Sequence, residues 1–333
     1  MTAHIDIDLD APGKQSGQLR LKATLADGEE RIIATPIFSF ARDDGPTIVL
    51  TAGVHGDEYE GQVALSELAR ELRIADISGR VIIMPMVNAP ACHAGQRNTP
   101  IDGLNLNRAF PGRADGPFTS RLAHFIETEL YARADYAADF HCGGAILHFL
   151  PSTLFVVTGE KPADQKRLDL AGAFGVRHCM LFGAKTMGVE VGIDAAMLRQ
   201  GVIGISGEYG GSAEITPEAL DLCRTGLKRL LAHHGILATG PSLPITKPDL
   251  IDVRPDDCYV TAETEGIFEP LVRLGDILEP GAPVARLHRP DRPDAAPRLL
   301  QSRIGGVVMA RRSLARSAPG DWLLIIGRPV SSP

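Results

Sequence analysis

Three residues able to bind a divalent metal stand where the chain turns sharply. His55 and Glu58 form an HxxE pair in GVHGDEYEG, and His141 ends the run YAADFH just before CysGlyGly. A His, Glu, His set is a known catalytic zinc arrangement, because three protein ligands leave a fourth position open. Zinc so held lowers the pKa of water toward ~7 and polarises a carbonyl, which is the chemistry of amide hydrolysis. A second carboxylate, Glu208 in ISGEYGG, follows another apolar run. Glu58 and Glu208 therefore compete for two tasks, and the one that does not bind metal is left as a proton shuttle. An HxxE pair alone is commonplace, and so is a histidine closing a strand; their coincidence carries the argument.

The loop QRNTPIDGLNLNRAFPGR adds Arg97, Asn107 and Arg108. Amide hydrolysis develops an oxyanion, and an N-acyl amino acid also carries a carboxylate, so a site for both needs arginine forks and amide donors. By itself the loop reads equally well as a solvated surface turn. His93, His124, His148, His178, His233 and His234 lack ligand spacing; among them His148, just after the HisCysGlyGly turn, is the one expected near the pocket. Cys142 beside His141 is read as a small buried thiol.

These residues need a scaffold that brings strand ends together. Gln18 to Ala41 alternates loosely, as in antiparallel edge strands. PTIVLTAGVHG is a continuous β-branched run stopped by glycines at His55, the pattern of a strand covered on both faces. Helical spacing follows over 61–73, then a second buried strand in GRVIIMPMVN. The alternation continues: a helix through SRLAHFIETELYARA, strands at YAADFH and LFVV, a helix through DQKRLDLAGAFG, strands at HCMLF and VIGISGEYG, and a helix from Pro217 to His234. The fold class is therefore α/β, a mixed and mainly parallel sheet sandwiched by helices. Functional groups in such sheets gather at the carboxyl ends of strands, where His55, His141 and Glu208 stand.

Past Gly235 the proline-rich stretch GPSLPITKPDLIDVRPDD sets an expected boundary near Thr239. Residues 1–239 form the hydrolase domain with its β lead-in, and 240–333 a small β domain of short strands and glycine turns like a barrel-sandwich hybrid. A lipoyl-type carrier would need a lysine at a hairpin tip; MetAlaArgArg offers none, which favours a structural or gating role.

Composition bounds the rest. With 333 residues, 44% of them hydrophobic, the chain can bury a core without disulfides, and its five cysteines form no CxxC pair. A net charge of -7 argues against nucleic acid or anionic membrane as a main partner. The acidic, polar start MTAHIDIDLDAPGKQ is unlike a secretory signal, so a cytoplasmic location is expected.

Taken together, GxHGDExxG, NLNRxFPG, DFHxGG and GExGG resemble the succinylglutamate desuccinylase and aspartoacylase family, a branch of the zinc carboxypeptidase-like fold, over about 46–237. The resemblance implies one zinc per chain on His55, Glu58 and His141, with Glu208 activating water. It also implies Arg97 polarising the scissile carbonyl, and Asn107 and Arg108 gripping the substrate carboxylate. Further implications are a C-terminal extension at the substrate entrance and association with other copies of the chain. GDEYEG, NLNRAFPGRADG and DFHCGG look closest to the members that deacetylate N-α-acetyl-2,4-diaminobutyrate, while Cys142 and Tyr209 depart from that group. The expected partner is thus a small N-acyl amino acid. Two rival readings are a metallocarboxypeptidase acting on peptides and a protein that binds zinc or a small ligand without catalysis.

Overall fold

The computed structural model describes residues 3–25, 27–237 and 245–333. A large mixed sheet crosses the molecule. Glu30–Arg42 pairs antiparallel with both the lead-in strand Gly13–Thr24 and Gly79–Met84. Gly79–Met84, Thr47–Ala52, Tyr136–His141 and Ile203–Glu208 then run parallel in that spatial order. Ser152–Val156 lies antiparallel on the far side of Ile203–Glu208 and parallel to His178–Phe182. Helices cover both faces, as the βαβ rhythm requires.

Period-two alternation decides what each face carries. In Thr47–Ala52, residues Ile48, Leu50 and Ala52 enter a core shared with helices Glu60–Glu71, Lys161–Phe174 and Pro217–His233. Val49 points the other way, into a core shared with Phe118–Phe125 and Ile193–Arg199. Ala138, Phe140 and Ile205 belong to the first core. Asp139, His141, Ser206 and Glu208, at the intervening positions, therefore face the second side. Register seats Ser206 beside Asp139, and Glu208 beside His141.

The expected helices and strands form, with some ends shifted by up to about five residues: the lead-in strand starts at Gly13 and the strand expected over GRVIIMPMVN ends at Met84. One differs: the helix expected over SRLAHFIETELYARA is α-helical only as Phe118–Phe125, then widens to a π turn, Ile126–Leu130, and closes as a 3-10 turn, Tyr131–Arg133. Such bulges re-aim side chains. Here Glu127 meets Arg199 through two hydrogen bonds of 2.8 and 2.7 Å, and the Tyr131 hydroxyl lies buried 3.4 Å from Thr51 Oγ1.

The expected boundary near Thr239 falls outside the described residues. Beyond it the described residues form strands and turns with one 3-10 turn, Asp256–Cys258. Arg298–Gln301, Pro283–His288, Gly266–Pro270 and Arg316–Ser317 make a second sheet with its own apolar core. Asp249–Asp252 and Trp322–Val330, however, extend the large sheet beside His178–Phe182. Gly306–Arg312 continues it and pairs with Leu147–Phe149, the short strand just after the His141 turn. MetAlaArgArg is thus the inside of a strand, not a hairpin tip. No helix among the described residues is long and apolar enough to cross a membrane.

Candidate active site

His55, Glu58 and His141 converge at the sheet edge, all buried, their ligating atoms within 4.8 Å of one another. Glu58 lies between the two rings: its Oε1 is 2.7 Å from His55 Nδ1 and its Oε2 is 2.7 Å from His141 Nδ1. The far nitrogens face oxygen. His55 Nε2 is 3.1 Å from Asn105 Oδ1, whose identity as oxygen is fixed by the Asn107 N–H that donates to it at 2.8 Å. His141 Nε2 lies 2.6 Å from Asp139 Oδ2, off the ideal angle, and neither atom has another partner among the described residues. Thr51 Oγ1 donates to Asp139 Oδ1 at 2.5 Å.

That outer shell sets the tautomers. With Nε2 of each histidine donating outward, both Nδ1 lone pairs point at the carboxylate between them. With the ring protons held outward, the three groups turn only lone pairs to one point, and that donor set fits zinc, which would displace any proton between His141 and Glu58. Burial pushes the Glu58 carboxyl up, but the two histidines pull it below its usual range. Burial pulls both imidazoles down; His55 ends low, whereas Asp139 and Glu58 together lift His141 well above the ordinary value. Only His141 has two carboxylates against its ring, which accounts for the contrast.

Backbone geometry keeps the cluster tight. Gly144 sits at φ 53°, and a Cβ there would stand 2.6 Å from Asp57 Oδ2. Asp57 in turn accepts the Ala145 N–H at 2.9 Å, tying the His55 loop to the His141 turn.

The set opens into a cavity of about 360 Å³ that Glu208, Arg97, Asn107, Arg108 and Asp194 also line. Glu208 Oε2 is buried without a hydrogen bond among the described residues. Burial lifts its carboxyl well above the usual range and Glu58 adds to this, against the pull of His141 and Arg97. A dication on the ligand set would draw it back down. Arg97 Nη1 lies 3.3 Å from Glu58 Oε1. Asn107 Oδ1 accepts the Ile193 N–H at 2.8 Å, which leaves the amide NH₂ as its donor. Arg108 donates to the Asn107 carbonyl at 2.6 Å; burial first and Arg97 next push its guanidinium pKa down, against the opposing pull of Glu190.

All seven residues singled out in the sequence therefore meet in one place. His148 does not: Leu147 and Phe149 line the cavity, while His148, between them on the strand, faces away and pairs its Nδ1 with Ser212 Oγ at 3.0 Å. Burial raises the Cys142 thiol well above its ordinary pKa, which suits a packed thiol and not a nucleophile. Asp139, Asn105 and Asp194 escaped the sequence reading. So did Arg312, Asp321 and Trp322, which wall the cavity from the C-terminal strands.

Such a fold and site define an α/β protein whose strand ends bring together three residues able to hold a metal ion beside a further carboxylate. The sequence model of the succinylglutamate desuccinylase/aspartoacylase catalytic domain matches residues 44–234, and the chain belongs to that family. It is 36% identical over 326 residues to the N-alpha-acetyl-L-2,4-diaminobutyric acid deacetylase of Halomonas elongata, covering 98% of this chain and 95% of that protein. Among solved structures, the succinylglutamate desuccinylase/aspartoacylase of Rhodobacter sphaeroides superposes with a TM-score of 0.93 at 31% identity, over 99% of this chain and 100% of the other. The product-bound ectoine utilization protein EutE (DoeB) of Ruegeria pomeroyi gives 0.92 at 33% identity, over 98% of each.

Proposed function

We propose that the chain is a zinc-dependent deacylase that hydrolyses the amide bond of an N-acyl amino acid, with N-α-acetyl-2,4-diaminobutyrate as its substrate. The observation that carries this reading is a buried set of three possible ligands and, in the same cavity, the Glu208 carboxylate, whose buried Oε2 has no hydrogen bond among the described residues. The similarity to the Halomonas elongata deacetylase supports the choice of substrate.

His55, Glu58 and His141 hold the metal, which when bound supplies Lewis acidity toward water and the carbonyl. Asn107 and Arg108 take the carboxylate of the amino-acid half and fix its orientation, converting a loose encounter into an aligned one. Arg97 faces the developing charge on the carbonyl oxygen. Glu208 accepts a proton from the attacking water as the oxygen–carbon bond forms. It returns that proton to the departing nitrogen as the C–N bond breaks, and acetate and the free amino acid leave.

The test is acetate release by zinc-loaded protein from N-α-acetyl-2,4-diaminobutyrate, beside N-acetylaspartate, N-succinylglutamate and a short peptide, each with and without chelator. Chelator-sensitive release from the first is the expected result. Preference for the peptide would favour a metallocarboxypeptidase, and no turnover of any substrate with zinc bound would favour a non-catalytic binder.

A further inference from the structure

Asp194 is an acid in the cavity that the proposed chemistry does not use. It is the second residue of Ile193–Arg199 and reaches over the sheet, where its Oδ1 accepts from Ser206 Oγ at 2.6 Å. It forms no ion pair among the described residues. Burial raises its carboxyl above the ordinary range, and the Ser206 hydrogen bond offsets this only in part. Asp194 is half-buried; a carboxylate partly withdrawn from water without a cationic partner carries a cost that a bound cation would relieve.

Its surroundings say which cation would fit. The residue before it, Ile193, donates its N–H to Asn107, the residue proposed to grip the substrate's carboxylate. An anion-binding group and an acid therefore sit on adjoining links of one contact and line the same cavity. Leu154, the cross-strand partner of Ser206, packs with Phe182 and Val189 in one apolar cluster, and all three line the cavity with Asp194. Short methylene chains pack against such walls. The other acid in the cavity outside the proposed machinery, Asp321, is already paired with Arg312 at 2.8 Å.

We propose that Asp194 determines substrate specificity by receiving the side-chain ammonium of an ω-amino amino acid, its methylenes lying along Leu154, Phe182 and Val189. The proposal deepens the deacylase reading and rests on it for the placing of the carboxylate at Asn107 and Arg108.

The test compares calorimetric binding of 2,4-diaminobutyrate and norvaline, which has a methyl group where the other has ammonium, by the zinc-loaded full chain. Wild type should bind 2,4-diaminobutyrate at least tenfold more tightly. Asp194→Asn, and Asp194→Ser should the first variant not fold, should shrink that ratio below threefold while zinc content stays unchanged; Asp321→Asn should leave it intact. Equal binding of the two ligands by wild type, no binding of either, an unchanged ratio in both Asp194 variants, or loss of the ratio in Asp321→Asn instead would each overturn the proposal. Because the readout is binding, a lack of turnover on acetylated substrates would refute the deacylase reading without deciding this one. If turnover is present, the Asp194→Asn defect should appear in KM for N-α-acetyl-2,4-diaminobutyrate and be absent for N-acetylnorvaline.

Discussion

Replacing Asp139 by Asn should impair zinc binding through a single proton. Asp139 offers one oxygen to the Thr51 hydroxyl at 2.5 Å and the other to His141 Nε2 at 2.6 Å. In the variant, the amide oxygen is the natural acceptor for Thr51, which leaves the NH₂ facing His141. Nε2 must then accept, the ring proton moves to Nδ1, and the lone pair that faces Glu58 is lost as a metal ligand. The amide can avoid this only by turning its NH₂ to Thr51, whose hydroxyl would then depend on Tyr131, a long 3.4 Å contact. Outer-shell changes of this kind cost about 10–100-fold in metal affinity, or ~1.4–2.7 kcal/mol, and the tautomer reversal places Asp139→Asn toward the upper end. Asp139→Ala removes the acceptor without presenting a donor and should cost less, about tenfold. Competition with a fluorescent chelator measures both affinities, with thermal melting as the check on folding. At saturating zinc the kcat of Asp139→Asn should fall less than tenfold, since Glu208 and Arg97 are untouched. Zinc affinity within threefold of wild type, or an Ala variant as weak as the Asn variant, would refute the tautomer argument.

Three further outcomes are expected. Glu208→Gln keeps the ligand set and should retain zinc by metal analysis, yet lose about 10²–10⁴-fold in kcat for acetate release, since no other group supplies the proton transfer. Gly56→Ala places a Cβ 2.0 Å from the Ala91 carbonyl, so chemical denaturation should show a loss of about 1–3 kcal/mol, with weakened zinc binding because the step from His55 to Glu58 is displaced. His234, stacked on Tyr136 at 3.7 Å, is pushed by burial and by His233 to about 4 from an ordinary 6.5. Its folded form holds fewer protons than the unfolded chain, so stability is full above pH 6.5 and declines as pH falls toward and through 4. Allowing for its partial exposure this amounts to about 1–2 kcal/mol, and His234→Phe should flatten the urea midpoint between pH 7 and 4.5 relative to wild type.

The central strands and the ligand set were legible because each signal was local. TIVLTA is apolar on both faces since helices cover both, and His55 and His141 follow such runs where glycines stop them. Asp139 was within reach of the same logic: two positions before His141 on one strand, it must share that residue's face. Asn105 carries no such mark, because its role depends on a 3-10 turn, Leu106–Arg108, bending back over His55. Asp194 lies in a segment whose apolar residues follow no clear period, and only the packing of Ile193–Arg199 over Ser206 gives it a function-bearing position. The π turn after Phe125 was hidden because its sequence satisfies a helix equally well, and the pairing of Glu127 with Arg199 is a contact no local pattern announces.

The C-terminal strands show how far a small element governs the site. Leu147–Phe149 has three residues and no hairpin partner nearby in sequence, yet its pairing with Gly306–Arg312 lets one short run do two things. It anchors the turn that follows His141, and it brings Arg312, with Asp321 and Trp322 close by, to the cavity wall. Arg312 and Asp321 neutralise each other at 2.8 Å, so this wall presents shape more than charge. Outside the ligand set and Glu208, the remaining charged lining is Arg108; Arg97, which also meets Glu58; and Asp194, which forms no ion pair among the described residues. A substrate bearing a carboxylate and an ammonium a few bonds apart would meet both kinds of charge at once, as the proposed role of Asp194 requires.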